Sequence, residues 1–213
     1  MGKNIVYRNI HRKDYEIVED MIVKTFNLHK YITNKKSLVN IKKHYIYSCL
    51  VEATYINIAE DNGKIVGIIM GNSKNDYDIS KHINFMIKSL KYSLRIKFSR
   101  KNDKKELTGY QNLQNIYKKM LEKHKNEFDG VLTLFIVDEE YRGLGIGYKL
   151  LKDLLLYLKN KKTKKIYLYT DTTCNYKFYE KQGFNCIEKD KLSILKENKN
   201  FIMDIFLYEH FLV

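Results

Sequence analysis

The chain has 213 residues, 44% hydrophobic and 13% aromatic, with 39 Lys and Arg against 25 Asp and Glu for a formal net charge of +14. That hydrophobic content excludes a disordered chain, and the length suits one sizeable core rather than two. Cys49, Cys174 and Cys186 show no CxxC spacing, which excludes a disulfide framework or zinc site, and no apolar run approaches the roughly 20 residues of a membrane-spanning helix.

Scattered charges in residues 1–16 leave no room for a signal peptide, and Val6 breaks the N-myristoylation pattern. A single domain over 1–213, cytoplasmic and without a membrane partner, is expected. The lysines spread along most of the chain and no nucleic-acid-binding motif accompanies them, so they read as a solvated surface and no nucleic-acid partner is expected.

In chain order, 4–10 reads as a strand and Asp14 as the cap of a helix running to about Phe26. A second helix covers Ser37 to Glu52, with Leu38, Ile41, Tyr45 and Cys49 on its apolar side. Residues 54–73 read as a hairpin turning at Asn62-Gly63, with strands from Tyr55 to Glu60 and Ile65 to Met70. The stretch 81–99 is helical by the period of Ile83, Met86, Ile87, Leu90, Leu94 and Phe98, and 111–124 by Leu113, Ile116, Tyr117, Met120 and Leu121.

"GVLTLFIV" (130–137) suits an inner strand buried on both faces. Three glycines follow, then a leucine stripe from Tyr148 to Lys159 that reads as core. A strand at 165–170, a short helix at 174–182 ended by Gly183, and strands at 184–190 and 200–212 complete the chain. The class is therefore α/β or α+β, with a β-α-β unit at 130–170.

The glycines after 130–137 mark an anion site. A strand that ends in glycine-rich backbone and opens a helix presents free N–H groups and the positive end of the helix dipole. Gly143, Gly145 and Gly147 thus suit a phosphate or pyrophosphate, with Arg142 adding a charged contact or tethering the loop. Tyr148 excludes both a Walker loop, which needs Lys there, and a GxGxxG starting at Gly143.

"VDEEYRGLGIGYKLL" (137–151), followed by "LYTDTTCNYKFYEKQGF" (168–184), resembles the GCN5-related N-acetyltransferase (GNAT) superfamily. Arg142, Gly145 and Gly147 meet its central signature, Arg/Gln-x-x-Gly-x-Gly/Ala. Tyr179, Gly183 and Phe184 meet its later one, at matching spacing, and the order of elements agrees along the chain. Glu139 stands where members commonly have proline. Thr172 stands where many have Asn, with Asn175 close by, so either could touch cofactor. The resemblance implies a mixed, mostly antiparallel central sheet of about seven strands with flanking helices, plus an extra helical insertion at about 75–128.

It also implies acetyl-CoA as cofactor. The diphosphate would lie on the backbone of Arg142, Gly143, Leu144, Gly145, Ile146, Gly147 and Tyr148, and the pantetheine arm along Phe135, Ile136 and Val137. There the strand is splayed from its neighbour by a bulge, and one N–H holds the developing oxyanion. The implied reaction is direct attack by a primary amine of a small molecule or peptide in a ternary complex, with Tyr179 as the acid for the leaving thiolate. A non-catalytic acyl-CoA-binding regulatory module on the same fold is the alternative.

No base stands out. Asp171, whose competing role is helix capping, precedes Glu60, Asp61 and Glu127 as a candidate, and water could serve instead. Cys174 reads as structural, and the six histidines lack ligand spacing, so no metal is expected. The segment 74–128 holds fourteen basic and six acidic side chains. Its two amphipathic helices offer apolar surface for a substrate pocket or a homodimer contact.

Overall fold

Asn62 and Gly63 both take positive φ, 49° and 84°, the pair of values that a two-residue type I′ turn demands. They join β2 (Tyr55–Asp61) to β3 (Lys64–Ser73), as the Asn-Gly pair predicts. The computed structural model describes residues 3–99, 101–124, 126–196 and 199–212. With β1 (Ile5–Arg8), β4 (Gly130–Val137), β5 (Lys165–Asp171), β6 (Asn185–Lys196) and β7 (Lys199–Phe211), the hairpin belongs to one seven-stranded sheet in the order β1-β2-β3-β4-β5-β7-β6. Every neighbouring pair is antiparallel except β4 and β5. Those two are linked through α6 (Ile146–Asn160), the helical crossover that a parallel pair requires.

Leucines fasten α6 to one face of the sheet. Leu150, Leu151, Leu154 and Leu158 are all buried against Val66, Ile69, Ile166 and Leu168. On the opposite face α1 (Tyr15–Thr25) and α3 (Lys35–Glu52) cover Ile58, Ile68 and Met70. A short α2 (Leu28–Tyr31), not foreseen in the sequence, links them.

β4 serves both faces because it changes register. Its pairing with β3 passes from Met70↔Leu134 to Gly71↔Leu132, which leaves Thr133 as an extra residue. Side chains alternate along a strand, so one inserted residue exchanges the faces. Leu132 accordingly packs on the α6 side, whereas Leu134 and Ile136 pack beneath α1 and α3. The apolar run is buried only at every second residue, where its composition suggests burial throughout.

The insertion forms α4 (Ile79–Lys97) and α5 (Lys101–Glu122). α4 rides on α3: His82 Nδ1 lies 3.0 Å from the Leu50 carbonyl, Ser48 and Ser89 hydroxyls meet at 3.1 Å, and the Tyr47 and Tyr92 rings stack at 5.9 Å. α5 begins ten residues before the periodic stretch in the sequence. It reaches from α3, where Leu107 packs with Ile41, to the other half of the sheet, where Met120 packs with Leu192, Ile205 and Leu207.

Asp14 precedes α1 but does not cap it with its side chain. Its carboxylate accepts instead from the His11 N–H and pairs with Arg8 at 2.7 Å. β6 runs well past its expected end at 190, pairing with β7 from Asn185↔Glu209 to Lys196↔Lys199 with one register shift between Cys186 and Glu188, while β7 keeps nearly its expected length.

Candidate active site

β4 and β5 pair only at Gly130↔Ile166 and Val131↔Tyr167. Beyond Val131 the ladder between them ends, and a crevice of about 360 Å³ occupies the middle of the sheet. A sheet interior without a ladder leaves polar main chain with no strand to bond. One wall is β4 from Leu132 to Val137; the other is β5 at Tyr169, Thr170 and Asp171, continued by Phe178 and Tyr179 of α7 (Tyr176–Lys181).

The glycine loop roofs the crevice. Gly143 and Gly145 take φ of 79° and 78°, a region that costs L-residues roughly 1–2 kcal/mol. A Cβ at either would meet nothing within 4 Å, so conformation, not crowding, requires glycine there. At Gly147 a Cβ would press toward Phe135 and Val137, 3.5 Å from each.

Gly145 caps α6 without a side-chain contact, and Lys149 N–H, 2.9 Å from the Gly145 carbonyl, is the first to find an acceptor in the helix. Among the described residues, the N–H groups from Gly143 to Tyr148 have no protein acceptor. Arg142 Nε reaches the Val137 carbonyl at 3.4 Å and ties the loop to the strand end.

The structure brings Phe135, Ile136, Val137, Arg142 and Gly143 to the crevice, together with Gly145, Gly147, Tyr148, Asn175 and Tyr179. Leu144 points to solvent, 52% exposed, and Ile146 is buried in the core, so only their backbones belong to the loop. Thr172 lies outside: its N–H donates to the Asp204 carbonyl and its hydroxyl accepts from the Asp204 N–H. Of the pair left open by the sequence, Asn175 is the one in the crevice.

Tyr179 sits amid the rings of Phe135, Phe178, Phe184 and Tyr208. Burial pushes its phenol well above the ordinary value, and the Asp171 carboxylate pushes the same way. Such a group stays protonated at neutral pH and can serve as a proton donor but not as a base. Burial, then Asp171, pushes the Cys174 thiol up to about 12, which keeps it from being a thiolate nucleophile.

Of the carboxylates considered as a base, Asp171 alone borders the crevice. Its Oδ1 accepts from the Thr173 N–H at 2.7 Å, a turn contact rather than the expected helix cap, since Asn175 stands at the N-cap of α7. Glu60 pairs with Arg8, Asp61 accepts from the Tyr141 hydroxyl, and Glu127 pairs with Lys165. Among the described residues no His, Cys, Asp and Glu group is arranged to hold a metal.

The far end of the crevice was not legible as a site. Thr25, Phe26, Tyr45, Tyr117 and Tyr169 close it, with Phe26 stacked on Tyr45 at 5.3 Å and Tyr117 on Tyr169 at 4.1 Å. Tyr45 and Tyr117 fall on helix stripes that read as core. Their one signal is a hydroxyl on an otherwise aliphatic face, which needs a polar outlet.

A splayed parallel pair roofed by a glycine loop at a helix N-terminus defines an acyl-CoA-binding acyltransferase fold, and comparison with known proteins agrees. Residues 28–184 match the model of the acetyltransferase (GNAT) family. The chain belongs to that family, whose cofactor is acetyl-CoA.

No curated protein matches the chain. Among solved structures, PH1933 of Pyrococcus horikoshii OT3 is similar at TM-score 0.60 and 19% identity, over 98% of both chains. The ribosomal-protein-S18-alanine N-acetyltransferase of Escherichia coli gives 0.53 and 11%, covering 98% of this chain and 94% of its own. YncA of Salmonella typhimurium, solved with its cofactor acetyl-CoA, gives 0.54 and 12%, covering 99% and 95%. The residues present suit that cofactor: the row of unpartnered N–H groups is chemistry for a diphosphate, and the bare edge of β4 suits an amide-bearing arm.

Proposed function

We propose that the protein is an N-acetyltransferase that moves an acetyl group to a primary amine of a small molecule or peptide by direct attack in a ternary complex. The observation that carries this reading is the continuity of the crevice. One cavity runs from the unpartnered N–H groups of the glycine loop, along β4 and past Tyr179, to the ring-lined end between α1, α3 and α5. A module that only bound the cofactor would need no space beyond Tyr179.

Acetyl-CoA supplies the acetyl thioester. Backbone N–H groups of 143–148 hold the diphosphate, aided by the α6 dipole. Phe135, Ile136 and Val137 would offer main chain to the pantetheine arm as a strand edge, and one N–H among them would polarise the thioester carbonyl. Asn175 borders the same path. Tyr179 donates a proton toward the departing sulfur, the role its protonated phenol fits. With Asp171 engaged by Thr173, the amine sheds its proton to water. At the ring-lined end, the stacked tyrosines and Phe26 frame the amine.

The test is an amine panel assayed for release of free coenzyme A. Tyr179→Phe is expected to lower kcat on the best amine by about 10²-fold or more, with melting and coenzyme A binding unchanged. Equal turnover by that variant would remove Tyr179 from catalysis. Tight coenzyme A binding with no turnover on any amine would instead favour the regulatory module.

A further inference from the structure

α4 carries its apolar stripe on the wrong side for a core helix. At about 100° per residue, His82, Phe85, Ser89, Tyr92 and Ile96 fall on one side, and these meet α3 or the clusters beneath it. The aliphatic residues fall on the other. Ile79, Ile83, Met86, Ile87, Leu90 and Leu94 are exposed, and Phe98 at the helix end is 76% exposed. Seven large apolar side chains thus form one line along a rod about 28 Å long. Patches of this kind on a soluble protein mark interaction sites.

The charges beside the stripe say what covers it. α4 contains Lys81, Lys88, Lys91, Arg95 and Lys97 and no Asp or Glu. Lys91, Arg95 and Lys97 are exposed, and among the described residues none of them has an ion-pair partner. A second copy set with its α4 against this face would bring Lys91, Arg95 and Lys97 toward the same three cations, and α4 itself has no carboxylate to answer them. The face is also a straight ridge, whereas protein anchors insert into pockets. An exposed aliphatic ridge lined by lysine and arginine and free of carboxylates is the pattern of a helix lying in the interface of an anionic bilayer, with its apolar side chains among the acyl chains and its cations at the headgroups.

We infer that α4 docks the protein on an anionic membrane surface. This departs from the sequence expectation of no membrane partner, which rested on spanning segments. No helix among the described residues is long and apolar enough to cross a bilayer, but an interfacial helix need not cross. The inference is independent of the proposed acetyl transfer.

The test is sedimentation of the full chain with phosphatidylcholine vesicles, with and without phosphatidylserine. Binding is expected only when phosphatidylserine is present, and it should weaken as salt rises. Ile83→Glu with Leu90→Glu should abolish it, and Lys91→Glu with Arg95→Glu should weaken it about tenfold or more. Ile83→Glu with Leu90→Glu should leave melting and coenzyme A binding unchanged, since both positions are exposed. Lys91→Glu with Arg95→Glu, which also lifts two cations from the Tyr92 ring, should lower melting only slightly and leave coenzyme A binding unchanged. The chain has no tryptophan, so Leu90→Trp provides one fluorophore whose emission should shift to the blue on the same vesicles.

Absence of sedimentation at low salt would overturn the proposal. So would binding that survives Ile83→Glu with Leu90→Glu, because charge elsewhere would then account for it. A dimer in solution that this variant converts to monomer would assign the ridge to a second copy instead.

Discussion

Asp14 keeps its charge with only 2% of its surface exposed, because Arg8 stands 2.7 Å away and the His11 N–H donates to the same oxygen. The Arg8 hydrogen bond is the largest influence and holds the carboxyl below its usual range. A depressed carboxylate pKa stabilises the fold at pH values above the unfolded value, and that contribution fades as pH falls through the folded one. Asp14→Asn is therefore expected to cost about 1–2 kcal/mol at neutral pH, since Arg8 keeps Glu60 as a partner, and less as pH falls through the folded value, as urea unfolding across the acid range would measure. At this scale the glycines were legible, because positive φ leaves a mark in sequence. Tyr45 and Tyr117 were not: a tyrosine at a crevice and one in a core share a helical period.

At the scale of elements, the crevice opens just beyond Gly130. A Cβ there would collide with the Asn72 carbonyl oxygen and lie 3.1 Å from Ile166 and 3.2 Å from Thr163. Gly130→Ala should destabilise by about 1–3 kcal/mol and weaken coenzyme A binding as well, because it disturbs the closed end from which β4 and β5 part. Melting curves with and without coenzyme A would separate the two effects. Most helices and the hairpin could be placed from their periods and turn residues. The start of α5 could not, because residues 101–110 hold Leu107 and Tyr110 in a polar run that gives no period. The Thr133 bulge was expected from the family resemblance alone, since nothing within β4 marks its place and Gly71, opposite the shift, lies on the partner strand. α4 was legible as a helix while its orientation was not, for a period cannot tell a core from an external surface.

Across the whole molecule, binding and folding are linked. Coenzyme A at about 100 times its dissociation constant should add about 2.7 kcal/mol to stability, seen as a rise in melting temperature. With a net charge of +14, association with this polyanion should slow as ionic strength rises, which stopped-flow binding would show. The fold class and the glycine roof could be read from sequence because they are local patterns. The crevice's far end could not, since it joins residues from α1, α3, α5 and β5.

With only two residue pairs between β4 and β5, α5 acts as a girder across the divide. Its early part is bolted to α3 through Leu107 with Ile41 and the Tyr110 hydroxyl, 2.9 Å from His44. Its later part is bolted to the other half through Met120 and the Tyr169 hydroxyl, which donates to the Tyr117 carbonyl at 2.6 Å. The width of the crevice's far end is thus set by a segment outside the sheet, so on the proposed acetyl-transfer reading changes along α5 would retune which amines enter without touching the glycine loop.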